Sequence, residues 1–230
     1  MVFIMVSCKK KNTFDSIHSA VIAGTVADVC KWLEEHPQDL EARHDCQLKH
    51  TPLLQAVFSQ KPAIVAELLE RGADVAARDS AGFTSLYRAV VRRDVAIAEL
   101  LLECGADPNV QNAHGPVLRA AVIADSTGMA LLLIDFGADV NAADETGFPV
   151  LGTSIMGRSR GLVRLLVKAG ASVEWKTGSG ASVPDLLREY GWTKLEIKSL
   201  LKQHGTMAGT PRRPTSGPAV RRSPATAASR

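Results

Sequence analysis

Residues 68–74 read LLERGAD: an apolar pair, two charged residues, then Gly-Ala-Asp. The motif returns as GAD at 105–107 and 137–139 and as GAS at 170–172, with the glycines 33, 32 and 33 residues apart. Each glycine follows an apolar pair, namely Leu68-Leu69, Leu101-Leu102, Leu133-Ile134 and Leu166-Val167. Four residues before each pair lies another: Ile64-Val65, Ile97-Ala98, Met129-Ala130 and Leu162-Val163. Residues four apart share one helical face. The pattern predicts one amphipathic helix per period, closed by a glycine able to take the left-handed conformation at its C-cap.

A second helix precedes the first in every period. Leu53, Leu86, Leu118 and Leu151 recur at intervals of 33, 32 and 33 residues, each followed three positions later by a small residue: Ala56, Ala89, Ala121 and Ser154. Small side chains there permit close helix-to-helix approach. Thr51-Pro52-Leu53 supplies a hydroxyl cap and then a proline in the first turn, where a missing amide proton costs little. The stretches between periods, ARDSAGFT, VQNAHGPV and AADETGFP, place Asp or Asn shortly before Gly, as turns require. In GPVL at 115–118 one residue and the threonine cap are missing relative to GFTSL at 82–86. That junction is expected to be irregular, with His114 exposed at a hairpin tip.

These features resemble the ankyrin-repeat family, whose unit has a TPLH-like opening, two antiparallel helices and a GAD-like end leading into a hairpin. The match is strong over residues 47–178, through Thr51-Pro52-Leu53, the GAD segments and Val140-Asn141-Ala142 with Asp144. It extends backward over 13–46 and forward over 179–205, with atypical terminal units that suit caps. The resemblance implies an all-α repeat solenoid of about six stacked helix-turn-helix units with hairpin connections. Polar Glu189, Lys194, Lys198 and Lys202 are expected to dress the last unit. Residues 1–12 read as a flexible end. Residues 206–230, rich in proline, serine and threonine, read as a disordered basic tail.

Charge is distributed unevenly. The formal charge is +3, but five arginines lie in 206–230 and three lysines in 1–11, with no acid in either segment. The body between them is net acidic, so the pI offers no evidence for a nucleic-acid groove on it. The Arg212-Arg213 and Arg221-Arg222 pairs leave weak, tail-mediated nucleic-acid binding as one alternative function, and Ser223 beside them is a candidate phosphorylation site. Cys8, Cys30, Cys46 and Cys104 fit neither a zinc knuckle nor a dense disulfide framework, which favours a reducing, intracellular compartment, cytoplasmic or nuclear. Cys104 is expected to be a small packing residue. The apolar runs are too short to span a membrane.

No metal, cofactor or catalytic site is expected. The six histidines form no HExxH, and the glycines form neither a phosphate loop nor a Rossmann triplet. His44-Asp45-Cys46 with His50 is suggestive alone but falls in a repeat turn. An unconventional enzyme built on a repeat scaffold is the other alternative. The reading preferred from the sequence is a non-catalytic protein-interaction scaffold or adaptor that uses the concave helix and hairpin-tip surface.

Candidate contacts follow from positions that face outward in the family. Phe83 and Phe148 either anchor a partner or cover their own repeat junctions, and Arg92 with Arg93 ends one inner helix. Tyr87 and Arg119 stand at the family's usual histidine position. Trp175 is placed at a hairpin tip, where it either meets a partner or folds back, whereas Trp32 is in core register. Asp79, Asp144 and Glu145 would favour a basic segment of a protein partner, or serve only as caps and solvated turns.

Overall fold

The structure, a computed structural model, describes residues 14–44 and 49–207. The expectations for residues 1–12, for Asp45 and Cys46, and for the tail from 208 onward lie outside the described residues. Helices come in pairs: α1 (Ile17–Ala23) with α2 (Val26–Glu35), α3 (Pro52–Phe58) with α4 (Pro62–Glu70), and α5 (Ser85–Val91) with α6 (Val95–Glu103). They continue as α7 (Val117–Ile123) with α8 (Thr127–Asp135), α9 (Val150–Met156) with α10 (Arg160–Lys168), and α11 (Val183–Glu189) with α12 (Lys194–Met207). The last helix thus passes the expected boundary at Gly205.

The chain divides into two compact units at Ser85 and Leu86. In the first, α1 packs on α2 and α3, and α4 packs on α2 and α3. In the second, α7 packs on α8 and α9, α10 on α8, α9 and α12, and α11 on α9 and α12. Within each unit, first helices stack on first helices and second on second, as two apolar registers per period require. Leu53, Leu86, Leu118 and Leu151 are buried, and so are Ala56, Ala89, Ala121 and Ser154 beside them. Burying each leucine contributes about 1.5–3 kcal/mol.

Second helices end as the glycines predict. Gly72, Gly105, Gly137 and Gly170 have φ of +87°, +89°, +92° and +100°. After α4 the Gly72 amide donates to the Leu69 carbonyl (3.0 Å) and the Ala73 amide to the Leu68 carbonyl (3.0 Å), a Schellman pair that recurs at the other three ends. The turn inside each pair repeats the device without glycine: Gln60, Arg93, Asp125 and Arg158 have φ of +52°, +58°, +50° and +55°. The following amides, of Lys61, Asp94, Ser126 and Ser159, donate back to Ala56, Ala89, Ala121 and Ser154. This second periodic reversal is invisible in residue type, because glutamine, arginine and aspartate all occupy it.

Thr51 caps α3, its hydroxyl accepting from the Leu54 amide at 3.3 Å. At α7 and α9 the N-cap residues are Pro116 and Pro149, neither with a side-chain cap bond. The turns before α5, α9 and α11 carry single bridges, Arg78 to Thr84, Ala143 to Pro149 and Lys176 to Ser182. The shortened turn before α7 forms a true hairpin, β1 (Gln111–Asn112) with β2 (Gly115–Pro116), in register Gln111 to Pro116 and Asn112 to Gly115. The irregularity read from the sequence takes the form of two paired positions in place of a single bridge.

Trp32 is buried, with its indole N–H donating to Asp39 Oδ2 at 2.9 Å. Cys104 departs from expectation: it is exposed at the C-cap of α6, where a side chain projects past the last turn. His18 is buried, and its Nε2 donates to the carbonyl of His50 at 2.9 Å, tying α1 to the residue before the Thr51 cap.

Burial holds the His18 imidazole below its ordinary value, against the opposing pull of that carbonyl, with His44 and His50 lowering it and Asp39 raising it slightly. The unfolded chain, titrating near 6.5, therefore takes up this proton first as pH falls. Stability contributed by neutral His18 is fully present above about pH 6.5 and is lost as pH falls toward the folded-state value. In denaturant titrations between pH 7 and pH 5, His18→Gln should show a flatter loss of stability than the unmodified chain. Backbone strain gives a second outcome. Gly170→Ala should lower stability by about 1–2 kcal/mol, the left-handed penalty for a side chain, whereas Arg158→Gly should raise it slightly, measured by the same titrations.

Candidate functional site

Turn aspartates organise the hairpins before they do anything else. Asp79 Oδ1 accepts from the amides of Ala81 (2.9 Å) and Phe83 (3.0 Å). Its side chain is fully buried, with Oδ2 at 4.0 Å from His50 Nε2. The Asp79 carboxylate is therefore inside the turn and presents no acidic surface. Asp144 makes the same turn, accepting from the amides of Thr146 (2.9 Å) and Phe148 (3.0 Å) and from the Thr146 hydroxyl (2.6 Å). That hydroxyl above all, then the Phe148 and Thr146 amides and the Arg119 charge, holds the Asp144 carboxyl below its usual range. Glu145, next to it, is exposed.

Arg119 joins three elements. Its Nη1 pairs with Asp144 Oδ2 (3.0 Å) and donates to the carbonyl of His114 (3.2 Å). Its Nε donates to the Thr153 hydroxyl on α9 (3.3 Å). In the shortened hairpin, Asn112 Oδ1 accepts from the His114 amide at 2.8 Å, while Asn112 Nδ2 is buried without a partner. A Cβ on Gly115 would lie 3.3 Å from Asp144 Cβ and 3.4 Å from Arg119 Cδ. The arginine lies against Gly115 and bonds forward to the next repeat, as His18 does.

Aromatic candidates fold back on their own junction. Phe148 and Trp175 meet edge to face at 5.3 Å, both half-buried. They lie over Gly152, whose absent Cβ would sit 2.7 Å from Phe148 and 2.9 Å from Trp175. Trp175 therefore stands at the base of its hairpin, not the tip; its Nε1 is buried without a hydrogen-bond partner. Phe83 is half-buried. Tyr87 is buried, and burial raises its phenol above the ordinary value. Arg92 and Arg93 are exposed.

A groove of about 450 Å³ runs between α7 and α9, with Arg119, Phe148 and Thr153 toward one end and Asp125 and Ser159 toward the other. Its rim is apolar: Ile123 is 64% exposed and Met156 53% exposed. The sequence reading missed both. A signal existed, because Phe58, Val91, Ile123 and Met156, all exposed, stand 33, 32 and 33 residues apart, two positions after the small residue of each first helix. Apolar residues off the buried stripe were the clue. Among the described residues, no group of three His, Cys, Asp or Glu is placed to hold a metal ion, and no helix is long and apolar enough to cross a membrane.

Stacked helix pairs, Schellman ends and aspartate turns define a class of repeat protein, and comparison with known proteins agrees. Residues 6–112 match the family model for ankyrin repeats, three copies. Protein PhlB of Serratia liquefaciens is 40% identical over 110 residues, covering 47% of this chain and 48% of that protein. The E3 ubiquitin-protein ligase KEG of Arabidopsis thaliana is 28% identical over 141 residues, covering 57% of this chain and 9% of that protein. The chain thus spans less than half the length of either relative.

Among solved structures, an ankyrin repeat domain from Acinetobacter baumannii superposes with a TM-score of 0.73 at 26% identity, covering 82% of this chain and 97% of that one. The ankyrin repeat domain of Bcl-3, at 24% identity and a TM-score of 0.58, shares the fold over 83% of this chain and 99% of that one. The chain has the ankyrin-repeat fold. Such repeats are protein–protein interaction modules, typically without catalytic function.

Gly152→Ala tests the aromatic junction. Forcing Phe148 and Trp175 apart should cost about 1–3 kcal/mol, the usual range for overpacking. The tryptophan emission of the folded protein should shift as Trp175 moves.

Proposed function

We propose that the chain is a non-catalytic interaction scaffold or adaptor of the cytoplasm or nucleus, and that α7 and α9 receive a segment of a partner protein. The observation that carries this reading is the groove whose rim exposes Ile123 and Met156 while its end is held rigid by Arg119, Asp144 and Thr153. Interfaces combine an apolar centre with a polar edge and gain affinity when the surface is preorganised. Ion pairing within the site supplies that preorganisation, since Arg119 and Asp144 are fixed by each other before any partner arrives.

Asp144 is neutralised by Arg119, so attraction of a basic partner segment falls to Asp125 within the groove and to exposed Glu145. Of the aromatic residues, Phe148 lines the groove and contributes one wall. Arg92 supplies an exposed cation near the end of α5. Support for an intracellular setting comes from the cysteine spacing and from Cys30, a free thiol beside the Glu67–Arg71 ion pair.

The test is proximity labelling in the native cell, comparing the unmodified chain with an Ile123→Glu/Met156→Glu variant. Both side chains are exposed, so the variant should keep its circular dichroism and melting temperature. One or more partners should disappear from the labelled set. An unchanged set from a folded variant would remove the α7/α9 groove from the reading.

A further inference from the structure

We propose that the groove between α11 and α12 is a second docking surface, and that its occupant is an acidic amphipathic helix of a partner protein. A terminal repeat must present its open side to water, and the lysines of α12 were expected to do this. They do so incompletely. Leu195 is 78% exposed, and with half-buried Pro184 and Leu201 it forms the apolar floor of a groove of about 610 Å³. A lone exposed leucine needs no explanation. An apolar floor inside a rim of a single charge sign is a different object, because the rim selects what may cover the floor.

The rim is cationic. Lys194 and Lys198 stand one turn apart on α12, and Arg188 comes from α11. Asp185 pairs with Arg188 at 2.7 Å and offsets part of its charge. Lys194 and Lys198 form no ion pair among the described residues, so they carry most of the selection. Glu196, the acid between them in sequence, is engaged elsewhere: Arg160 pairs with it, and its other oxygen accepts from the Thr193 amide at 2.9 Å.

Charge decides among the possible occupants. The chain's own segment 208–230 carries five arginines and no acid, and would set cations against cations. A second copy using the same face would place lysine against lysine, since a twofold interface pairs a patch with itself. An acidic amphipathic helix matches on both counts. Apolar residues at i, i+3 or i+4 and i+7 would cover Leu195, Pro184 and Leu201, and flanking carboxylates would meet Lys194, Lys198 and Arg188.

This surface is distinct from the α7/α9 groove, and the two can be separated experimentally. The probe is a labelled synthetic helical peptide with leucines at i, i+4 and i+7 flanked by glutamates, titrated against the full chain by fluorescence anisotropy at physiological ionic strength. A matched peptide has lysines in place of the glutamates. The acidic peptide should bind at least about tenfold more tightly than the basic one. Leu195→Glu and Lys194→Glu/Lys198→Glu should each weaken it about tenfold or more, with melting temperatures unchanged because all three side chains are exposed. Ile123→Glu/Met156→Glu should bind it normally.

Equal binding of the two peptides, or none in the millimolar range, overturns the proposal. So does acidic-peptide binding that survives both α12 variants, which would assign it to the arginines of the tail. Loss of binding in the Ile123→Glu/Met156→Glu variant would place the peptide in the other groove. Concentration-dependent dimerisation abolished by Leu195→Glu would identify a second copy as the occupant instead.

Discussion

Each repeat depends on a reversal of the chain that ordinary residues resist. Where a second helix ends, the backbone must enter the left-handed region so that two amides can satisfy the last carbonyls; Gly72, Gly105, Gly137 and Gly170 do this at φ near +90°. The reversal sends the chain into a hairpin and returns it to start the next first helix at a fixed distance. With that distance constant, one leucine and one small residue per period are buried in the same way in each repeat, and within each unit helices stack like on like. The shorter reversal inside each pair uses the same hydrogen bond at Gln60, Arg93, Asp125 and Arg158, where the penalty for a side chain is borne by the packing around it.

Hairpins show how one function is kept when its residue is lost. In two turns an aspartate carboxylate gathers the amides that would otherwise be left open. In the turn before α7 the aspartate is Asn112, one residue is missing, and a hairpin of closer register results. Arg119 compensates from the neighbouring helix, bonding the His114 carbonyl, Asp144 and Thr153. At this shortened turn Arg119 thereby forms a cross-link between two repeats, at the end of the groove between α7 and α9.

Much of this architecture was legible in the chain alone. The 33-residue spacing, the glycine after each apolar pair and the Thr51-Pro52 opening gave the helix pairs and their ends, because each rests on local backbone chemistry. The candidate site was less legible. Asp79 and Asp144 are the same residue type at the same turn position, yet one is fully buried beside His50 and the other pairs with Arg119. Trp175 reads as a hairpin residue, but a tryptophan where other repeats carry alanine or valine finds room only because position 152 is glycine. Ile123, Met156 and Leu195 expose apolar surface at the two grooves, and their residue types look like core.

Sequence by itself determined the period, the order of helices, the glycine reversals that end the second helices and the irregular junction at 115–118. These are set by propensity, by glycine conformational freedom and by apolar spacing, all of which act within a few residues along the chain. Tertiary structure decided which charges are spent inside the fold, which aromatic rings cover their own junctions and which apolar side chains reach water. Those outcomes depend on neighbours in the adjoining repeat, such as Thr153 for Arg119 and Trp175 for Phe148, and only the stacking of one repeat on the next brings them together.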